Sequence, residues 1–441
     1  MQLPRDTASN DAASTQARPR AWLARARASR LWLWLAFGFV HVVIAALVLS
    51  LDQHKYLGDV HTMYLPWAHH VFAGYGIVGI DSRWVYPIAA LVPVLAPMLF
   101  GAQAYGFAWM VMVTGLDAAA IAILTHRPSR RRWTAAWWWL AFILLLGPIA
   151  LTRIDTVSVP IAIVGLLWLS TRPRVAVVLL TVATWIKVWP VALLASLLLD
   201  ARHRLRTIVV AVVTSVAIVA VPLALGAGTR LFSFIGTQDA RGLQIESPVA
   251  SGWLWAAALH LPPSHVFYSR ALNTFEVSGP GSQLAVHLMT PLLLVALVAV
   301  MALGLFAAMR HDAKALPALM LAMVLTLMLF DKVLSPQYIT WLAAPIVYGL
   351  VQQPHRFRFP ALVGLAIAAL TQAFYPWIYD LVIDANPGAI ALLVARNIAL
   401  GVLFVWTLVR LCRVPASRQH DDRPKTGPSV MLSAGKRSMS C

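Results

Sequence analysis

Long apolar stretches recur along the chain from residue 31 to residue 411, and they restrict it to folds that a lipid bilayer can hold. A helix that crosses the hydrocarbon core needs about 20 mostly apolar residues. Only 12% of the 441 residues are charged, whereas soluble domains carry about 25%. The pattern therefore predicts an all-α integral membrane protein with about twelve transmembrane helices.

The breaks between the apolar runs place these crossings along the chain. They lie at residues 31–51, 104–125, 134–150, 156–171, 207–227, 284–309, 315–331, 335–351, 359–375 and 389–411, with two short helices between Arg174 and Arg202. Lys187 and Pro190 separate the two short helices, as in the discontinuous helices that surround binding sites in membranes. A proline-rich run at residues 87–100 is too short to span, so we expect an interfacial or re-entrant helix in the first outer loop.

Basic residues are concentrated in the tails and the short connectors. Of the 35 Lys and Arg residues, 26 lie in these segments, together with only six of the 17 acidic residues. Because Lys and Arg favour cytoplasmic loops, the net charge of +18 reports topology in the plasma membrane, with membrane lipids as partners, and indicates no nucleic-acid partner. We expect a transmembrane domain at residues 31–411 between disordered, basic cytoplasmic tails at residues 1–30 and 412–441.

A set of ionisable residues falls on the predicted extracytoplasmic side. They are Asp52, Lys55, Asp59, Arg153, Asp155, Lys187, Arg241, Glu246, Asp331 and Lys332. Ionisable groups near membrane depth are costly, so by default they mark functional sites. Two pairs, Arg153 with Asp155 and Asp331 with Lys332, could equally be structural ion pairs at helix ends.

Metal ligation has little support in the sequence. His69 and His70 are adjacent and therefore do not share a helix face. No acidic residue or cysteine follows them at ligand spacing. We predict no metal site and no cofactor.

Carboxylates and cations together at an outer membrane surface fit the transfer of a sugar from a polyprenyl phosphate. The acceptor hydroxyl needs a general base, and an aspartate is ionised at neutral pH. The leaving lipid phosphate needs Lys or Arg donors. Inversion in one displacement needs no covalent nucleophile.

Four motifs resemble a known family. They are Gly58-Asp59-Val60-His61-Thr62-Met63-Tyr64 with Trp84-Val85-Tyr86-Pro87, then Trp185-Ile186-Lys187-Val188-Trp189-Pro190, then Arg241-Gly242-Leu243-Gln244-Ile245-Glu246-Ser247, and Lys332-Val333-Leu334-Ser335-Pro336-Gln337-Tyr338. Their order and outward placement are similar to those of the GT-C superfamily of membrane glycosyltransferases. The closer resemblance is to bacterial polyprenyl-phosphate-mannose-dependent alpha-(1,2)-mannosyltransferases.

The resemblance implies a GT-C-like fold and a role for each matching residue. The catalytic base is Asp59, with Asp52 as the alternative, because the interval between Asp59 and Tyr64 is one residue longer than in the family. The implied donor-phosphate ligands are Lys187, Arg241, Lys332 and Arg153. The implied sugar or acceptor contacts are Glu246, Gln337, Tyr64, Tyr86 and Asp155.

Two other classes of protein could share this topology. A transporter or flippase of lipid-linked glycans also needs cations along an apolar path, but it should show polar residues on both membrane faces. A silent membrane scaffold gives no reason for Asp59, Lys187 and Glu246 to share one side. The outward bias favours the enzyme.

Overall fold

The structure, a computed structural model, describes residues 30–50, 56–199, 203–239, 241–270, 272–309 and 315–413. These residues are mostly helical, as the apolar pattern predicts. Both predicted disordered tails, apart from residues 30, 412 and 413, lie outside the described residues, as does Asp52.

Most of the helices follow one another with short connections, and the longest connection lies before α13. In chain order they are α1 (Arg30–Ser50), α2 (Leu65–Phe72), α3 (Leu91–Leu95), α4 (Tyr105–Thr125), α5 (Arg130–Leu146), α6 (Ile149–Thr152), α7 (Asp155–Leu167), α8 (Pro173–Ile186), α9 (Val191–Leu197), α10 (Arg204–Ala224), α11 (Ser233–Asp239), α12 (Ser251–Ala258), α13 (Ser282–Met309), α14 (Leu316–Leu329), α15 (Ala343–Gln352), α16 (Arg358–Phe374), α17 (Tyr379–Ile383) and α18 (Pro387–Cys412). A π-helical turn covers Val60–Tyr64, and 3₁₀ turns cover Ile88–Ala90, Ala96–Phe100, Gly228–Phe232 and Pro336–Leu342.

Among the described residues, five helices are long and apolar enough to cross a membrane: α1, α4, α10, α13 and α18. Each of the other predicted crossings also coincides with a helix, although those helices are shorter. The most apolar windows of α10 and α13 are only 11% and 17% buried within the protein. Exposed apolar helices of this kind suit contact with lipid, so the chain is a mostly helical membrane protein whose exact number of crossings stays a prediction.

Short helices form the centre of the bundle. Nearly every residue of α7 and α14 is buried, and α7 packs against α8, α4 and α15. At 13 residues, α7 is about 20 Å long, which is less than the ~30 Å of the hydrocarbon core. The first residue of α7 is Asp155. Helix α8 ends one residue before Lys187, and helix α14 ends two residues before Asp331. The short central helices thus leave polar residues at one end of the bundle.

Local sequence signals set several helix ends. The Ser129 hydroxyl accepts a hydrogen bond from the backbone of Arg132 and caps α5, and the Asn386 side chain caps α18. Gly147 ends α5 with φ +66°. A Cβ at Gly147 would lie 2.5 Å from the Gln372 amide, so only glycine allows this approach between α5 and α16.

Two features lie outside the helical bundle. Strands β1 (His265–Ser269) and β2 (Thr274–Ser278) form an antiparallel hairpin in the long loop before α13, which the all-α prediction did not include. The predicted interfacial helix at residues 87–100 is a composite of 3₁₀ and α turns, Ile88–Phe100. The three prolines at positions 87, 93 and 97 explain the breaks, because each removes a backbone donor.

Candidate active site

Asp59 and Arg153 form the first ion pair at the polar end of the bundle. Asp59 precedes the π-helical turn Val60–Tyr64, and such turns are frequent at functional sites. Its Oδ2 lies 3.5 Å from Nε of Arg153, and the Asp59 side chain keeps 26% of its surface exposed whereas Arg153 keeps 4%. The Asp59 carboxylate is therefore partly accessible to solvent, whereas the arginine is enclosed by the protein.

The remaining nitrogens of Arg153 are also engaged. Nη2 donates to the Tyr375 hydroxyl at 2.8 Å, and Nη1 donates to the carbonyl oxygens of Thr152 and Tyr56 at 3.1 and 3.4 Å. Tyr375 follows α16, Thr152 belongs to α6 and Tyr56 lies after α1. One guanidinium therefore contacts three parts of the bundle. The arrangement holds Asp59 in a fixed orientation.

Lys187 and Asp155 form the second ion pair. Nζ of Lys187 lies 3.5 Å from Oδ2 of Asp155, with 14% of the lysine side chain and none of the aspartate exposed. The other oxygen, Oδ1, accepts a hydrogen bond of 2.7 Å from Nε1 of Trp341. Nζ also lies 4.7 Å and 5.6 Å from the ring centroids of Tyr86 and Tyr338, within the range of cation–π attraction.

Aromatic rings support this second pair. Trp341 stacks between Tyr338 at 4.1 Å and Trp189 at 5.9 Å. Nε1 of Trp189 donates to the Ser158 hydroxyl at 2.9 Å. The stack fixes the indole that binds Asp155, which in turn fixes Lys187.

Tyr64 and Tyr86 line the space beside both pairs. The Tyr64 hydroxyl accepts from the backbone N–H of Ile154 at 3.2 Å, and its ring lies 6.3 Å from that of Tyr86. Burial raises the pKa of both hydroxyls, and the Asp59 carboxylate raises it further. Both tyrosines therefore stay neutral and can donate a hydrogen bond at physiological pH.

The motif at residues 241–247 adds a short edge to the hairpin through one antiparallel bridge, Gln244 with Glu276. Ile245 donates its N–H to the Phe275 carbonyl at 3.2 Å, Val277 donates to Leu243 at 2.9 Å, and Gln244 donates to Lys332 at 3.0 Å. The last bond ties this edge to the turn after α14. The third and fourth motifs are thereby brought side by side.

Asp331 lies in that turn under the influence of Arg241. Burial raises the pKa of Asp331 to about 6, and its bond with the Val333 N–H and the charge of Arg241 oppose the rise more than Lys332 does. Arg241 also acts electrostatically on Tyr86 and Tyr338, the two rings beside Lys187. The charge of Arg241 is therefore felt by the same two rings that surround Lys187.

Glu246 lies in a different environment from the predicted phosphate ligands. Its Oε1 accepts a 2.6 Å hydrogen bond from the Tyr379 hydroxyl, and its backbone carbonyl accepts from Nη2 of Arg396 at 3.0 Å. Burial raises the pKa of Glu246 to about 7. Sequence reasoning missed Arg396, although an arginine in the middle of the apolar helix α18 is the kind of signal that indicates a functional group.

The structure thus joins some predicted residues and separates others. We call Asp59, Arg153, Asp155 and Lys187 the Asp59 cluster. Its two ion pairs differ from the local Arg153–Asp155 pair that the sequence left open. Gln337 is half-buried next to Tyr338 in the Pro336–Leu342 turn, and Glu246 contacts Tyr379 instead of this cluster. Within the described part of the chain, no three His, Cys, Asp or Glu side chains group as metal ligands do, and the absence of a metal stays a prediction.

Comparison with known proteins gives one match. Residues 84–336, more than half of the chain, match the model of Glycosyltransferase family 87. This range contains Arg153, Asp155, Lys187 and the third motif, whereas Asp59 and Tyr64 precede it. No curated protein and no solved structure matches the chain.

Proposed function

Because the chain belongs to glycosyltransferase family 87, we propose that it transfers a hexose, with mannose as the first candidate, from a polyprenyl-phosphate donor to a lipid or glycan acceptor. Family membership makes the chain a transferase that acts on a sugar donor and an acceptor. The finer assignment of donor, sugar and mechanism rests on the Asp59 cluster.

The observation that carries this proposal is the spacing of the two ion pairs. Arg153 and Asp155 are separated by one residue, so their Cα atoms are at most ~7 Å apart. Asp59 contacts the first and Lys187 contacts the second. The partly exposed Asp59 carboxylate and the mostly buried Lys187 ammonium are therefore both paired with the short segment 153–155. This closeness suits a base and a phosphate ligand that act on the same donor.

In the proposed reaction, Asp59 accepts the proton of the acceptor hydroxyl while that oxygen attacks the anomeric carbon. The bond from the anomeric carbon to the phosphate oxygen breaks, and the polyprenyl phosphate leaves with the electron pair. The configuration inverts, because the two oxygens lie on opposite sides of the carbon. Lys187 and Arg241 stabilise the phosphate charge, and Lys332 is the third candidate for this role.

Arg153 and Asp155 receive revised roles. All three nitrogens of the Arg153 guanidinium have partners in the protein, which favours the orientation of Asp59 over the predicted contact with phosphate. Both oxygens of Asp155 are engaged by Lys187 and Trp341, which favours the positioning of Lys187 over a sugar contact. Tyr64, Tyr86 and Gln337 remain candidates for binding sugar hydroxyls.

We also propose that the site faces the extracytoplasmic side of the plasma membrane. The basic connectors before α5, α8, α10 and α16 lie at the helix ends opposite the Asp59 cluster, and such connectors favour the cytoplasm. Reporters fused after Arg132, Arg206 or Arg358 should then be cytoplasmic, and one inserted near Gly279 should be outside. An outside signal at Arg206 would reverse the assignment of the paired short helices.

The test is transfer by the purified protein in detergent. Radiolabelled polyprenyl-phosphate mannose and an alkyl mannoside should give product, and guanosine diphosphate mannose should not. Asp59→Asn protein serves as the inactive control, and EDTA should leave the rate unchanged because Lys and Arg neutralise the phosphate. Transfer only from the nucleotide sugar would refute the proposed donor, and loss of activity with EDTA would refute the metal-independent mechanism.

A further inference from the structure

Unpartnered polar atoms are concentrated around Glu246. Among the described residues, nine buried side-chain nitrogen or oxygen atoms have no hydrogen-bond partner, and five of them belong to four residues. We call these four residues the Glu246 cluster: Glu246, Ser247, Arg396 and Asn397. Their unpartnered atoms are Glu246 Oε2, Ser247 Oγ, Arg396 Nε and Nη1, and Asn397 Oδ1. Buried polar atoms without partners are energetically unfavourable, so several of them in one place indicate a binding site for a polar ligand.

The four residues are held together by contacts around one carbonyl group. The Glu246 carbonyl oxygen accepts from Arg396 Nη2 at 3.0 Å and from Asn397 Nδ2 at 3.4 Å. Asn397 Nδ2 also donates to the Ser251 hydroxyl at 3.3 Å. Arg396 is fully buried, with its guanidinium 5.3 Å from the ring centroid of Phe374. The backbone partners therefore orient these side chains and leave their other polar atoms unused.

The unused atoms include donors and acceptors. Arg396 offers N–H groups, Glu246 and Asn397 offer oxygens, and the Ser247 hydroxyl offers both. A phosphate would be repelled by the two oxygens, because it presents acceptors only. A sugar hydroxyl both donates and accepts, so several neighbouring hydroxyls match this set.

Two tyrosines connect the Glu246 cluster to the proposed base. Tyr379 donates to Glu246 Oε1 at 2.6 Å, its ring lies 5.0 Å from that of Tyr375, and Tyr375 binds Arg153. Lys187 reaches the same region through Asp155. In this series of contacts, the Asp59–Arg153 pair comes between Glu246 and Lys187.

The geometry of an in-line displacement indicates where the acceptor should bind relative to the phosphate. The attacking hydroxyl and the leaving phosphate oxygen must lie on opposite sides of the anomeric carbon. If Lys187 and Arg241 bind the phosphate, the acceptor approaches from the other side of Asp59. Residues 241–246 connect Arg241 to Glu246 along the chain, and five residues cover at most ~17 Å, about the length of two sugar rings.

We infer that Glu246, Ser247, Arg396 and Asn397 form a subsite that binds hydroxyl groups of the acceptor sugar. The inference rests on the proposed function. Tyr379 closes the cluster on the side of the base, and a sugar enters by replacing its hydroxyl at Glu246. The four residues bind and orient the acceptor, and none of them takes part in proton transfer at the reacting atoms.

The test compares two buried serines. Ser247→Ala removes a hydroxyl that has no hydrogen-bond partner among the described residues. Ser196→Ala is the matched control, because Ser196 is equally buried and its hydroxyl donates to the Ala192 carbonyl at 2.8 Å. Initial rates are measured with octyl α-mannoside as acceptor and polyprenyl-phosphate mannose as donor. We expect Ser247→Ala to raise the KM for octyl mannoside by about 3- to 10-fold, the loss expected for one neutral hydrogen bond.

The same variant should leave the donor KM and the melting temperature unchanged, and Ser196→Ala should leave both KM values unchanged. Glu246→Gln provides a second variant, since it preserves the acceptor atom for Tyr379 and should raise the octyl mannoside KM by about 3- to 10-fold, because an amide N–H group replaces the second carboxyl oxygen. Arg396→Lys should bind the acceptor more weakly than the wild-type protein does, because Lys lacks the Nε–H donor.

Three outcomes would overturn the inference. An unchanged acceptor KM in Ser247→Ala would mean that the cluster holds water only. A higher donor KM with an unchanged acceptor KM would place the donor there. If wild-type protein fails to use polyprenyl-phosphate mannose, the proposed function fails, and direct binding of octyl mannoside then decides the subsite: equal affinity of wild type and Ser247→Ala refutes it, and weaker binding by the variant supports it.

Discussion

The Asp59 cluster and the Glu246 cluster lie at the same end of the bundle, but they differ in whether their charged groups have partners in the protein. In the Asp59 cluster, Arg153 and Lys187 each face a carboxylate at 3.5 Å. In the Glu246 cluster, Arg396 binds a carbonyl oxygen and leaves two nitrogens without partners among the described residues. Paired groups are oriented before a substrate arrives, whereas unpaired groups gain their partners only from a guest.

The difference matters for how each cluster can act. A general base and a phosphate ligand must be in position at the moment of reaction, so preorganisation by neighbouring residues favours catalysis. An acceptor subsite benefits from unused hydrogen-bonding groups, because each one gained on binding adds affinity. Both arrangements cost folding stability, since charges are buried in both.

The largest effect should come from removing the proposed base. Asp59→Asn keeps the side-chain size and its contact with Arg153, but it cannot accept the acceptor proton. We expect turnover to fall by ~10²–10⁴-fold with unchanged membrane insertion, measured as sugar transfer in detergent. The comparison variant is Asp52→Asn, which should stay active. The reverse result would assign the base to Asp52, and full activity of both variants would refute general-base catalysis by the first outer loop.

The second effect concerns Lys187. Lys187→Gln should weaken donor binding by roughly 10- to 100-fold, because a charge-assisted contact with phosphate is worth about 1.5–3 kcal/mol. It also leaves Asp155 buried without its cation, which costs stability by about 3–5 kcal/mol. Lys187→Arg should retain more donor affinity than Lys187→Gln.

A double variant separates these two consequences. Lys187→Gln combined with Asp155→Asn removes both charges and should recover most of the lost stability, while donor KM stays high. Recovery of donor KM together with stability would show that Lys187 acts only as the structural partner of Asp155. Melting temperature and donor KM, measured on the same preparations, distinguish the two results.

Some of this arrangement could be predicted from the sequence. The positions of the helices follow from apolar runs, and the break at Lys187 follows from a charge and a proline in such a run. Asp59, Arg153, Asp155 and Lys187 stand out in the sequence because ionisable residues are rare at membrane depth. The roles assigned to them are still predictions, since the match to the family covers residues 84–336 and names no residue.

The pairing of these residues could not be predicted in the same way. Arg153 and Asp155 look like a local ion pair, but Arg153 turns to Asp59 and Tyr375, which are distant in sequence. Arg396 lies in the middle of an apolar helix, far from the predicted outer loops, and the sequence alone gives it no partner. Its relation to Glu246 depends on how the loop before α13 packs against α18, and no periodicity in the sequence encodes that contact.

The third prediction concerns pH and the Glu246 cluster. Burial raises the pKa of Glu246 from 4.5 to about 7. Between these values the folded protein keeps a proton that the unfolded chain has lost, so stability falls as the pH rises through this window, and the loss is complete above about pH 7. The expected loss is about 3 kcal/mol. Glu246→Gln should abolish the contribution.

Thermal unfolding in detergent between pH 5 and pH 8 measures this effect. The wild-type protein should melt at a lower temperature at pH 8 than at pH 5, and Glu246→Gln should reduce the difference. Glu276→Gln is the comparison variant, because Glu276 is also a buried carboxylate in the same loop and accepts from the Gly242 N–H. An equal reduction in both variants would remove the special role of Glu246.

The smallest effect compares two tryptophans within one stack. Trp341 donates to a carboxylate of the Asp59 cluster, and Trp189, 5.9 Å away, donates to a neutral serine hydroxyl. Replacing either with Phe keeps an aromatic ring but removes the donor. A hydrogen bond to a charged group contributes about 1.5–3 kcal/mol and a neutral one about 0.5–1.5 kcal/mol. Trp341→Phe should therefore destabilise the protein by about 1 kcal/mol more than Trp189→Phe does, and it should also raise the donor KM several-fold because Asp155 no longer holds Lys187 in place. Equal losses in the two variants would mean that Asp155 gains nothing from the indole beyond a neutral contact, and the preorganisation of the Lys187 side would then rest on the ion pair and the two tyrosine rings alone.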